Sequence, residues 1–223
     1  AMIQGKIAGV AASYRLGFVD KEELKVKTEE LKQALASLRK GMFGSKNKGK
    51  DIEKTEEGFD VSKNLLKKGY LTDEEVTKYP GVKSIRGIHP VIECSQNIPC
   101  NPCQDACPKK CIKIGSQITS LPVVDESSQC IGCGMCVASC SGQSIFLVNE
   151  DYEKEYTSIT LPYEFLPLPE KEMKGIGLDR SGKQVCEAEV IDIKSLPAFD
   201  HTNLLTIKVP KEMGMRVRFF KQA

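Results

Sequence analysis

The sequence contains no tryptophan, only two histidines, and just 6% aromatic residues. Two histidines leave little room for imidazole-based catalysis, and both His89 and His201 read as structural. No apolar run reaches the ~18 residues that a membrane span requires, so none is expected. Charge of one sign is also lacking. Lys and Arg number 32 against 30 Asp and Glu, interspersed, for a formal net charge of +2. A nucleic-acid groove needs a concentrated positive field, so no nucleic-acid partner is expected. The basic stretch from Lys46 to Lys54 is broken by Gly, Asn and Asp and reads as a solvated loop. There is no P-loop, and the Gly-Ile-Gly at 175–177 is too short for a dinucleotide fingerprint. The opening AMIQGKIAGVAASYRLG lacks the basic start and long apolar stretch of a secretion signal. A cytoplasmic location is therefore expected.

Cysteine, by contrast, is abundant. There are ten, nine of them between Cys94 and Cys140. In a reducing compartment clustered cysteines point to metal rather than to disulfides. Two stretches repeat at an offset of 33 residues: CNPCQDACPKKCI from Cys100 and CGMCVASCSGQSI from Cys133. The offset aligns Cys100 with Cys133, Cys103 with Cys136, Cys107 with Cys140 and Ile112 with Ile145. With Cys130 in front, the second copy reads C-x2-C-x2-C-x3-C, the ligand run of bacterial iron–sulfur proteins. In the first copy the position matching Cys130 is Asn97, which has no thiol. Cys94 stands three residues earlier and supplies it, giving C-x5-C-x2-C-x3-C-P.

A four-iron, four-sulfide cube needs one thiolate per iron. Two residues between cysteines let a tight turn wrap three corners and aim backbone N–H groups at sulfur; the fourth thiolate comes from elsewhere. In two-cluster ferredoxins the fourth cysteine of each run serves the other cluster. That pattern assigns Cys94, Cys100, Cys103 and Cys140 to cluster 1, and Cys130, Cys133, Cys136 and Cys107 to cluster 2. Cys111 aligns with Ser144 and reads as a spare thiol; Cys186, isolated among strand residues, reads as a packed one. Ile112, Ile131, Ile145 and Pro108 are expected to shield the clusters from water. Zinc is the alternative metal, since it also binds thiolate pairs. Its sites usually take two separated CxxC pairs rather than one tight run.

The fold class expected is α+β, in three parts. Residues 1–88 form a helical docking region, 89–150 a bacterial-type dicluster ferredoxin domain, and 151–223 a small β-rich C-terminal extension. In the first part GKIAGVAASYRLG reads as a helix with apolar residues at Ile7, Val10, Ala11 and Tyr14. Asp20 reads as an N-cap before a stripe of Leu24, Leu31, Leu35 and Leu38 that stops at Gly41. Residues 41–57 read as a Gly/Lys-rich loop. A second helical stretch carries Phe59, Val61, Leu65 and Leu66 and stops at Gly69. The TDEE at 72–75 resembles a capping box opening a short helix that ends near Tyr79-Pro80. Short strands are expected over 112–114, 118–124 and 145–148. Pro162, Pro167 and Pro169 mark a linker-like crossing. Beyond it, GIGLDRSGKQVCEAEVIDI reads as strand, turn and strand, and LLTIKVP and MRVRFF as further strands.

VIECSQNIPCNPCQDACP followed by LPVVDESSQCIGCGMCVASC resembles the dicluster ferredoxin-type subunits of multi-subunit FAD-dependent dehydrogenases acting on proline, hydroxyproline, sarcosine or related amines. PYEFLPLPEK and IKVPKEM are similar as well, so the resemblance covers about residues 88–220. This chain departs from the usual run in two places: Ser141 replaces the proline after the last cysteine, and Cys111 replaces a small residue. Neither removes a ligand. The resemblance implies an electron-transfer subunit with two [4Fe-4S] clusters, not itself catalytic, in a hetro-oligomer whose partner subunits carry FAD or FMN. A free ferredoxin-type carrier and a zinc-binding structural module remain the alternatives.

Overall fold

The computed structural model describes residues 2–38 and 63–222. The expected helix end at Gly41, the 41–57 loop and the apolar positions Phe59 and Val61 lie outside the described residues, as do the side chains of Leu35 and Leu38. The chain divides into two compact units, 1–55 and 56–223.

The first unit is a helical pair. α1 (Met2–Arg15) and α2 (Lys21–Leu38) pack against each other. Asp20 caps α2 as its sequence predicts, accepting the Glu23 backbone N–H at 2.8 Å and so satisfying a donor that the first turn leaves without a partner. Ile7, Val10, Leu24 and Leu31 are half-buried, while Ala11 and Tyr14 are exposed.

The second unit opens with two short helices. α3 (Lys63–Lys68) ends at Gly69, whose φ of +80° suits glycine. α4 (Asp73–Val76) starts in a complete capping box between Thr72 and Glu75. The rest is built on one antiparallel seven-stranded sheet and a two-stranded ribbon, so the architecture is mixed α+β. The sheet runs β1 (Ile88–Ile92), β4 (Ile145–Asn149), β5 (Tyr156–Tyr163), β8 (Asn203–Pro210), β7 (Gln184–Lys194), β6 (Lys174–Leu178), β9 (Phe219–Gln222). The ribbon pairs β2 (Ile112–Lys113) with β3 (Val123–Val124). None of the described helices is long and apolar enough to cross a membrane.

Several expected elements change. The linker-like crossing is in part a central strand: β5 pairs β4 on one side and β8 along its whole length on the other. Its Thr157, Ser158 and Thr160 hide it in the sequence, yet all three are buried. Two of their hydroxyls find partners, Thr157 on the Lys211 carbonyl at 3.2 Å and Thr160 on the Thr206 hydroxyl at 2.9 Å, which removes the cost of burying them. Pro162 does not break the strand, because the β4 ladder stops at Thr160 and Pro162 lies beyond it. Over 118–124 only Val123–Val124 is strand; Ile118 sits in a turn, 55% exposed. In MRVRFF only Phe219 and Phe220 enter a strand. The boundary drawn at 150 falls between β4 and β5, which are hydrogen-bonded neighbours in one sheet.

The sheet carries cores on both sides of this boundary. One cluster joins Val91, Phe146 and Val148 to Ile159, Leu161, Val190, Ile207 and Phe220. A second joins Ile92, Ile112, Val124, Ile145 and Leu147 to Phe199 and Leu204 from the C-terminal region, and includes Cys103 and Cys136. Apolar burial is worth roughly 25 cal/mol per Å², so the C-terminal strands are part of the cysteine region's own core.

Candidate metal centres

The two cysteine runs fold alike. α5 (Pro102–Asp105) and α6 (Met135–Ala138) occupy matching places, each too short to be more than one turn. The turn after each run passes through a left-handed residue, Lys110 (φ 54°) and Gln143 (φ 49°). This conformation is rare for residues other than glycine, and its recurrence 33 residues apart marks it as built in. It turns the next backbone N–H onto sulfur: Cys111 donates to Cys107 Sγ at 3.2 Å, and Ser144 to Cys140 Sγ at 3.4 Å. In the second run Gly132 also donates to Cys130 Sγ at 3.4 Å.

Each run then feeds a strand that pairs with the strand preceding the other run. β2, after the first run, pairs β3 through Ile112↔Val124; β4, after the second, pairs β1 through Ile92↔Ile145. This exchange carries the last cysteine of each run across to the other. One cavity of about 240 Å³ is lined by Cys94, Cys100, Cys103 and Cys140. A second, tighter one of about 10 Å³ is lined by Cys107, Cys130, Cys133 and Cys136, with Cys111 as a fifth thiol. These are the two sets of four that the sequence pattern assigns. Neither lining contains an Asp or Glu, so cysteine sulfur is the anionic donor each offers, a soft set unsuited to Mg²⁺ or Ca²⁺.

Electrostatics separate the sets in the same way. Burial pushes the Cys103 thiol up to about 11, reinforced by Cys140, Cys100 and Cys94. Burial raises Cys94 as well, tempered by the Gln96 backbone N–H and reinforced by Cys140 and Cys100. In the other set burial raises Cys136 strongly, with Cys130, Cys107 and Cys133 adding to it, and burial raises Cys130 beside Cys133 and Cys107. Thiolates packed this closely repel one another; only a cationic core between them would hold all four deprotonated. Cys111 is 2% exposed, and burial followed by the charge of Cys107 pushes its thiol up to about 12.

Among the described residues no group of three or more His, Cys, Asp or Glu is placed to hold a metal ion.

The shielding residues divide. Ile112 and Ile145 are each 1% exposed, but Ile131 is 55% exposed on the rim of the tighter cavity, beside exposed Pro108. The difference follows from position: Ile112 and Ile145 are strand residues, Ile131 a loop residue. The fold also brings up what the sequence did not announce. Gly134 lies at φ 83°, and a Cβ there would meet Leu204 Cδ1 at 2.3 Å, so the C-terminal core closes directly over the second run. Next to Cys94, the Glu93 carboxylate is gripped by Arg180 and Arg218. A carboxylate inside the apolar run VIEC was the only local sign of this, and its partners lie 87 and 125 residues away.

His89 is buried, with its ring nitrogens 2.9 and 3.0 Å from the Gly87 and Lys83 carbonyl oxygens; it ties down the loop before β1. Cys186 is half-buried in β7. Comparison with protein-family models, with curated proteins and with solved structures returned no match to this chain.

Proposed function

We propose that this chain is the electron-transfer subunit of an FAD-dependent dehydrogenase complex. Cluster 1 would be held by Cys94, Cys100, Cys103 and Cys140, and cluster 2 by Cys130, Cys133, Cys136 and Cys107. One observation carries the reading: two separate four-cysteine sets, each completed by a cysteine crossing from the other run. Such clusters, when bound, take up and release single electrons. Thiolate ligation at all four irons leaves no open site for substrate, which fits a relay rather than a catalyst.

The chain's own residues prepare the site for that task. Backbone N–H groups of Cys111, Gly132 and Ser144 point at sulfur, where they stabilise added negative charge. Ile112, Ile145, Phe199 and Leu204 exclude water from the inner side. The FAD or FMN of the proposed complex would reside on partner subunits.

The test is anaerobic purification from the native source with partners retained, followed by iron, sulfide and flavin analysis. About eight irons per chain with co-purifying flavoprotein is the expected result for two four-iron clusters. About eight irons in an isolated, monomeric chain would instead mean a free carrier. Zinc without iron would end the electron-transfer reading.

A further inference from the structure

The two runs differ in how they hold their opening cysteine. Cys130 lies three residues before Cys133, on a turn short enough for Gly132 to bond its sulfur. Cys94 lies six residues before Cys100, at the end of a longer segment. What precedes Cys94 is correspondingly better anchored. Glu93 accepts from Arg180 Nε at 2.8 Å and Nη2 at 2.5 Å, and from Arg218 Nε at 2.6 Å. The three side chains are 9%, 7% and 5% exposed. The Glu93 backbone N–H donates to the Ser144 carbonyl at 2.8 Å, and Ser144 in turn donates to Cys140 Sγ. One residue thus links Cys94 to Cys140, two members of the same set.

The arginines are themselves fixed. Arg180 bonds the Met215 carbonyl and Asp73, each within 2.8 Å. Arg218 bonds the Gly214 and Val217 carbonyls and lies 4.9 Å from the centre of the Phe146 ring. Arg218 Nη2 is buried without a hydrogen-bond partner among the described residues. Two cations converging on one buried carboxylate, one of them incompletely satisfied, is a costly arrangement for stability alone.

We infer that Glu93, clamped by Arg180 and Arg218 from the C-terminal region, is a positioning residue that fixes Cys94 at the first cysteine set. The clamp does for the long-spaced ligand what the short turn does for Cys130. It makes the C-terminal strands part of the first site. The inference rests on the proposed cluster at Cys94, and the experiment separates the two.

Full-length wild type, Glu93→Gln, Arg218→Met and Cys94→Ser are purified anaerobically, and iron, sulfide and the electron paramagnetic resonance spectrum of the reduced protein are recorded. Val190→Ala, a core substitution in β7, serves as a control for destabilisation without damage to the clamp. Wild type should hold about eight irons. Glu93→Gln and Arg218→Met should fall toward the roughly four irons expected of Cys94→Ser, with the second cluster's signal unchanged, because a misplaced ligand loses affinity 10- to 100-fold. Val190→Ala should keep both signals. Retention of both signals by Glu93→Gln and Arg218→Met would overturn the clamp while leaving the proposed function standing. Equal loss of both signals in these variants and in Val190→Ala would also overturn it, by reducing it to general stability. Wild type without iron would bring down both readings together.

Discussion

Cys111 and Cys94 pose the same question of one side chain each. Both are thiols lining a cysteine-rich cavity, yet their surroundings differ. Cys111 is buried, its thiol pushed up to about 12 by burial and by Cys107, and its backbone N–H donates to Cys107 Sγ. Its counterpart Ser144 makes the same N–H bond to sulfur without any thiol. Cys111→Ser is therefore expected to retain full iron, whereas Cys94→Ser should lose about half. Iron and sulfide analysis of the two proteins checks this. Loss of iron from Cys111→Ser alone would mean that the ligand assignment is wrong.

Among the elements, α4 shows local chemistry deciding structure on its own. It has four residues, far too few for a self-supporting helix. Thr72 Oγ1 accepts the Glu75 N–H at 3.2 Å, and Glu75 returns a bond to the Thr72 N–H at 2.9 Å. Leu71, Val76 and Tyr79 then pack with Leu121 in a small core of their own. Thr72→Ala should cost about 1 kcal/mol, and Thr72→Ser should restore most of it, read as shifts in the urea midpoint. β5 shows the reverse. Its Thr, Ser and Pro residues argue locally for a crossing, but neighbours on both edges and buried hydroxyl partners make it a strand.

For the molecule as a whole, the C-terminal strands share one sheet with β1 and β4 of the cysteine region and contribute to two cores with it. Ending the chain after Glu150 would strip Phe199 and Leu204 from the cysteine core and both arginines from Glu93. The shortened chain is expected to lose iron binding altogether, as measured by iron content after anaerobic reconstitution. The clamp also ties stability to pH. Burial raises the Glu93 carboxyl, but the charges and hydrogen bonds of Arg218 and Arg180 outweigh it and hold it below the ordinary carboxylate value. The folded state therefore binds this proton more weakly than the unfolded chain. The clamp's contribution is complete above the unfolded value of about 4.3 and is lost as pH falls through the lower folded value. Urea midpoints of wild type and Glu93→Gln should differ most near neutrality, and the gap should close below about pH 4. A gap that is constant with pH would show that Glu93 does not titrate as described. The sequence by itself determined what is local. Cysteine spacing within each run, the Asp20 cap and the Thr72–Glu75 box each depend on residues a few positions apart. The 33-residue repeat was legible as well, and the cysteines it groups line two separate cavities. Only the tertiary structure decided that β5 is a strand, that no boundary separates β4 from β5, and that Glu93 meets arginines 87 and 125 residues away. The physical reason is the same in each case: burial and charge pairing act between surfaces brought together by the sheet, and such surfaces have no fixed spacing along the chain.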